Sequence, residues 1–119
     1  VILVNEQTQS RAEFTAMALQ TIPGMKTVGS QTAGTDGDVR KMSLPGGVTI
    51  MITCKGIYYP DKTPTQRKGV RIDVEAHPTI AGIRAGRDEV LEKGVEVLKA
   101  LITGEHTAPP PQTKPSKRK

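Results

Sequence analysis

Ser10 stands where an apolar run, Val1-Ile2-Leu3-Val4, gives way through Asn5-Glu6-Gln7-Thr8-Gln9 to a helical pattern. A serine at a strand-to-helix turn presents its hydroxyl at the sheet edge, where the helix dipole and the free amides of the first turn stabilise a developing oxyanion. That is acyl-transfer chemistry, and it needs a histidine or a lysine of lowered pKa within hydrogen-bond reach of the hydroxyl. Neither histidine is a convincing base: His77 precedes Pro78 at the entry to the last helical region, and His106 opens a polar tail. Both read as structural or solvated. The same four residues, Ser10-Arg11-Ala12-Glu13, also make a capping box, with the serine oxygen accepting from the Glu13 amide and Glu13 reaching back to the Ser10 amide. Residue types alone therefore leave Ser10 as cap or nucleophile, the cap being the commoner use.

Other candidates are weaker. 'TAGTDG' contains glycines but has neither the spacing nor the lysine of a phosphate-binding loop. Asp36 and Asp38 could touch a cation, yet carboxylates in such a loop usually form turns. Lone Cys54 alternates in phase with Val48, Ile50 and Ile52 in 'VTIMITC' and is expected to pack inside. One cysteine excludes an internal disulfide and a cysteine-rich metal site; no metal and no cofactor is implied.

The elements that must position Ser10 follow from period and punctuation. Residues 1–5 read as a short buried strand. From Ser10 to about Thr21, Phe14, Met17, Ala18 and Thr21 recur at helical spacing as a core face, and Pro23-Gly24 ends the helix. A strand is expected at about 26–29, then a polar loop, then a β-hairpin of 'VRKMSL' and 'VTIMITC' around Pro45-Gly46-Gly47. 'GIYY' reads as another short strand, and 'VRIDVEA' as one with Val70, Ile72 and Val74 turned inward. Pro78 opens a helical region in which Val90, Leu91, Val95, Leu98, Leu101 and Ile102 form one apolar stripe closed by Gly104. The order β-α-β-ββ-β-β-α predicts an α/β fold, a mixed sheet with flanking helices and a β-hairpin.

The 119 residues suit one domain over 1–104 with an aliphatic core, since Phe14, Tyr58 and Tyr59 are the only aromatic residues. That scarcity argues against stacking on single-stranded nucleic acid. Of the net charge of +5, three units belong to residues 105–119, a Pro-rich basic tail expected to be disordered. No nucleic-acid partner is read from it. No run approaches a membrane span and no signal peptide is present. With Val1 already inside a strand and no starting methionine, the sequence is expected to be part of a longer chain.

Four motifs in order carry a family resemblance: a strand and Asn5-Glu6 before the serine-led helix, 'VGSQTAG', 'LPGG', and 'YYPD' followed by 'GVRIDVE'. Over Val1 to about Ile102 the chain resembles the C-terminal half of the catalytic core of tail-specific, or C-terminal processing, serine peptidases. The resemblance implies a Clp-protease and crotonase type of α/β core, Ser10 as nucleophile, and the Arg11 amide as one oxyanion-hole donor. One branch takes a lysine as base at the position of Thr35, which cannot be a base and so argues against that dyad here. The tricorn-like branch takes a histidine from the upstream half and a carboxylate at the position held by Gln66, which leaves Gln66 as a weak third member.

The resemblance further implies a peptide or protein substrate, the upstream half of the core as a partner, and a bacterial envelope or periplasmic location. Alone, the chain is expected to be catalytically silent and to associate with itself or with that half. The alternative is a peptide-binding or scaffolding domain that keeps the fold without catalysis.

Overall fold

The computed structural model describes residues 1–104; the predicted basic tail and His106 lie outside the described residues. In chain order the elements are β1 (Ile2–Val4), α1 (Arg11–Leu19), β2 (Thr27–Gly29), β3 (Val39–Ser43), β4 (Thr49–Thr53), β5 (Val74–Glu75), α2 (Ile80–Arg84) and α3 (Glu89–Thr103). The mixed α/β class predicted from the sequence is the class observed.

β1, β2 and β5 form a parallel sheet in that order, with Leu3 opposite Val28 and Val28 opposite Val74. Parallel neighbours need a crossover, and α1 supplies it between β1 and β2. Central β2 is buried throughout. Gly29 has no substitute there, because a Cβ on its backbone would overlap the Val4 carbonyl oxygen.

Side chains of β1 alternate between two layers. Ile2 and Val4 join a core with Ala16 and Met17 of α1, Tyr59 and Val70. Leu3 points the other way and fills the space beside Gly94 of α3. The sheet is thus sandwiched between α1 with the Tyr59 segment and α3. Each buried Val or Met contributes about 1.5–3 kcal/mol of transfer free energy to this arrangement.

α1 is rolled relative to the predicted face. Met17 is buried, but Phe14, Ala18 and Thr21 are exposed, and the inward residues are Glu13, Ala16 and Met17. The reason is Glu13, whose carboxylate is drawn inside by several hydrogen bonds and turns the helix with it.

α3 departs in the same way. It seats Gly94, Val97 and Ala100 inward, Gly94 leaving room for Leu3 of β1, and leaves Leu91, Val95, Leu98, Leu101 and Ile102 exposed. Gly104 ends the helix in the left-handed conformation, as predicted. The region entered at Pro78 is two helices, α2 being capped by the Thr79 hydroxyl.

'VRIDVEA' pairs only at Val74–Glu75, although Val70, Ile72 and Val74 are more buried than Arg71, Asp73 and Glu75. Its neighbour β2 is only three residues long, so the ladder ends early. 'GIYY' contributes a single bridge, Tyr58 to Pro64, because a proline cannot donate to a longer ladder.

The hairpin pairs as predicted, from Val39 with Thr53 to Ser43 with Thr49, and both Gly46 and Gly47 have positive φ. Cys54, expected inside, is exposed, as are Val48 and Ile52. Among the described residues the ribbon has no third layer to bury either face.

Candidate active site

After β1 the chain turns tightly: Thr8 N donates to Asn5 O at 3.0 Å, and Gln7 N donates to Asn5 Oδ1 at 3.0 Å. This brings Ser10 to the start of α1 with φ 52° and ψ −119°. Such a conformation in a residue with a Cβ costs on the order of 1–3 kcal/mol and persists only where its surroundings impose it.

Glu13 imposes it. Ser10 and Glu13 face each other as a capping box, but only one half reaches hydrogen-bond geometry: Ser10 N donates to Glu13 Oε2 at 2.9 Å, while the serine side chain makes no cap hydrogen bond. The predicted capping box is present, its Glu13 half being the hydrogen bond and its Ser10 half the approach of the serine side chain to the Glu13 amide. Among the described residues the Arg11 amide has no partner, and the Ser10 hydroxyl, which faces the Glu13 amide, makes no side-chain cap hydrogen bond. They are adjacent, at a helix N-terminus.

Glu13 has 0% relative exposure and collects four donors. Besides Ser10 N, Thr32 Oγ1 donates to Oε1 at 2.6 Å, Gly34 N to Oε1 at 2.8 Å and Thr35 N to Oε2 at 2.9 Å. Burial pushes its pKa up, but the bonds from Thr32, Gly34, Thr35 and Ser10 together outweigh burial and hold it below the ordinary glutamate value. The carboxylate is a fixed anion.

The loop after β2 is in turn stitched to the turn at 65–69. Arg67 N donates to Gly34 O at 2.7 Å, Val70 N to Thr32 Oγ1 at 2.9 Å, and the Gln31 amide to Lys68 O. Gly34 has φ 66°, and a Cβ there would stand 3.0 Å from the Arg67 backbone, so the two segments meet main chain to main chain. The structure thus gathers the positions named from sequence around one loop. Ser10 and Thr35 meet at Glu13, and Gln66 lies in the docked turn, exposed, its side chain without a hydrogen bond among the described residues.

Asp36 follows Thr35 and is 4% exposed, with Oδ2 unpartnered among the described residues. Burial raises its pKa, the Gly37 amide opposes this, and the Glu13 charge raises it further. His77 is elsewhere, beyond β5, with Nε2 3.0 Å from Glu75 Oε1 on the surface. A cleft of about 570 Å³ between α1 and Tyr58–Pro60 includes none of Ser10, Thr35 or Gln66.

Sequence reasoning missed the scale of the Glu13 network and the burial of Asp36. A hydroxyl or glycine at 32, 34 and 35 was the available signal for a carboxylate-binding loop, but nothing local in it points to position 13.

The model of peptidase family S41 matches residues 1–76. The chain belongs to that family. The S41 match spans Ser10, Glu13, Thr35 and Gln66 and ends before α2. Among solved structures, mature CPAF is similar at TM-score 0.77 and 28% identity, over 88% of this chain and 21% of that one. Mature CPAF complexed with lactacystin matches at TM-score 0.76 and 28% identity, over 86% of this chain and 20% of that one. A candidate peptidase from Parabacteroides merdae ATCC 43184 shares the fold at TM-score 0.73 and 21% identity, over 81% of this chain and 31% of that one. The S41 chain described here therefore spans between a fifth and a third of the solved chains it matches. No curated protein matches it.

Proposed function

We propose that this chain supplies the nucleophile and one oxyanion donor of a serine peptidase, acting on a peptide or protein substrate as part of a larger catalytic core. The observation that carries the reading is Ser10: a strained serine whose hydroxyl makes no side-chain cap hydrogen bond, beside an unpartnered Arg11 amide at the head of a helix. A cap alone has no need of φ 52°.

In this reading Ser10 Oγ attacks the scissile carbonyl carbon and gives its proton to a histidine carried by a segment outside these residues. The Arg11 amide and a second donor from that same segment hold the oxyanion. The C–N bond breaks, the leaving amine takes the proton, and water then hydrolyses the Ser10 ester. Gln66 serves as a neutral acceptor for the base, and Thr35 excludes the lysine dyad. The architecture proposed for the complete core is of the Clp-protease and crotonase type, in a bacterial envelope or periplasmic enzyme.

The test is intact-mass analysis of the full-length protein treated with a fluorophosphonate, with Ser10→Ala alongside. Labelling forms a Ser10 Oγ–P bond and expels fluoride. One adduct, lost in the variant, is the expected result. Folded protein that takes no label at Ser10 overturns the reading in favour of the second one, a peptide-binding domain without catalysis. That second reading draws on Thr35 and on the solvent-facing, unbonded Gln66 at the two base-related positions.

A further inference from the structure

We propose that Glu13 is the positioning residue of this site: its carboxylate holds Ser10 in the attacking conformation by clamping it to the loop after β2. The inference rests on the serine-peptidase reading and adds to it a residue that does not touch substrate.

Three observations separate Glu13 from an ordinary capping glutamate. A capping-box glutamate satisfies one amide at a helix surface. Glu13 satisfies four donors from two segments, with no exposure. Taking an anion out of water costs several kcal/mol unless its lone pairs are all used, as they are here.

Second, the strain falls on the residue that Glu13 grips. Its Oε2 accepts from Ser10 N and Thr35 N at 2.9 Å each, so both amides lie within two hydrogen-bond lengths of one another. The serine makes this bond in a conformation that an ordinary capping box does not require, and the same oxygen is anchored on the loop.

Third, the anchor does not move independently of the fold. Thr32 Oγ1 bonds both Glu13 and Val70 N, and Gly34 bonds both Glu13 and Arg67 N. The orientation of Ser10 is thereby set by main-chain contacts between the loop after β2 and the turn carrying Gln66.

The experiment is the second-order rate of fluorophosphonate labelling of the full-length protein, compared for the parent, Ser10→Ala, Glu13→Gln and Thr32→Val. Affinity for a non-covalent peptide ligand and thermal stability are measured on each. Glu13→Gln replaces one acceptor oxygen by a donor and breaks the clamp on one side. A misplacement of about 1 Å costs about 100-fold in rate, so Glu13→Gln should lose about that factor in labelling while peptide affinity stays within about threefold. Thr32→Val should lose less, in the same direction.

Labelling by folded Glu13→Gln at the parental rate, with Ser10→Ala unlabelled, overturns the proposal and leaves the peptidase reading intact. Equal loss of labelling and of peptide affinity also overturns it, since that is the mark of general damage. If Glu13→Gln does not fold, Thr32→Val decides: a slower rate at unchanged affinity supports the clamp, and an unchanged rate overturns it. A folded parent that takes no label at Ser10 ends both proposals together.

Discussion

Ser10 and Thr35 donate their backbone amides to one oxygen, Oε2 of Glu13, each at 2.9 Å. The two positions are 25 residues apart in sequence. One carboxylate thus joins the strand-to-helix turn after β1 to the loop after β2, and the geometry of either depends on the other.

The strain at Ser10 predicts an unusual order of stabilities. Glycine adopts φ 52° without penalty, which offsets its extra backbone entropy, so Ser10→Gly should fall within about 1 kcal/mol of the parent or exceed it. Ser10→Val adds a branched Cβ at positive φ and should lose at least about 1 kcal/mol. Urea unfolding of the three proteins tests this; a Ser10→Gly variant clearly less stable than Ser10→Val would refute the assigned conformation.

Glu13 and Asp36 oppose each other in their response to pH. Glu13 is held below its ordinary value of 4.5, so its contribution to stability is present above that pH and is lost as pH falls through the folded value. Asp36 is raised above 3.8, so its neutral form is favoured and stability is lost as pH rises from there through its folded pKa. Asp36→Asn keeps an acceptor for Gly37 and removes the charge, and should stabilise the protein at pH 7. The gain should shrink towards pH 4. Urea midpoints at the two pH values check it, and a gain independent of pH would count against the titration.

Gly29→Ala should be among the most damaging single-atom additions. The new Cβ would overlap the Val4 carbonyl within a central parallel pair, at φ 137°. A loss of about 3 kcal/mol or more is expected, read as a fall in urea midpoint or failure to fold; a loss below about 1 kcal/mol would mean that β1 and β2 do not pair as described.

Cys54 should react with a thiol reagent in the native protein. Its side chain is exposed at the end of β4, so modification should proceed in native buffer at a rate within about tenfold of that in denaturant. Protection by orders of magnitude would show that this end of the hairpin is covered in the folded protein.

How much was legible in the sequence follows from where each signal originates. β1, α1, β2 and the hairpin are written locally, in apolar runs, Pro23-Gly24 and Pro45-Gly46-Gly47, and they appear where period and punctuation place them. The roll of α1 was not legible, because hydrophobic periodicity counts Glu13 as a surface residue and Phe14 as a core one. A carboxylate becomes a core group only when donors from 32, 34 and 35 surround it, and that convergence is a property of the fold. Cys54 failed for the converse reason. Its alternation with Val48, Ile50 and Ile52 is real, yet a two-stranded ribbon buries nothing without a layer against it. For the candidate site, Ser10 was legible as a residue and as an alternative; its strained backbone was not.

The ribbon of β3 and β4 has a consequence for handling the chain. Among the described residues each strand leaves one edge of amide and carbonyl groups unpaired in a two-stranded sheet, and Val39, Met42, Met51 and Ile52 are exposed beside those edges. That combination is a template for stacking identical copies edge to edge. Arg40 and Lys41 of β3 are the charges that oppose such stacking, acting as gatekeepers by mutual repulsion between copies, whereas Lys55 is paired with Asp38. High salt, which screens that repulsion, therefore lowers the barrier to edge pairing between copies.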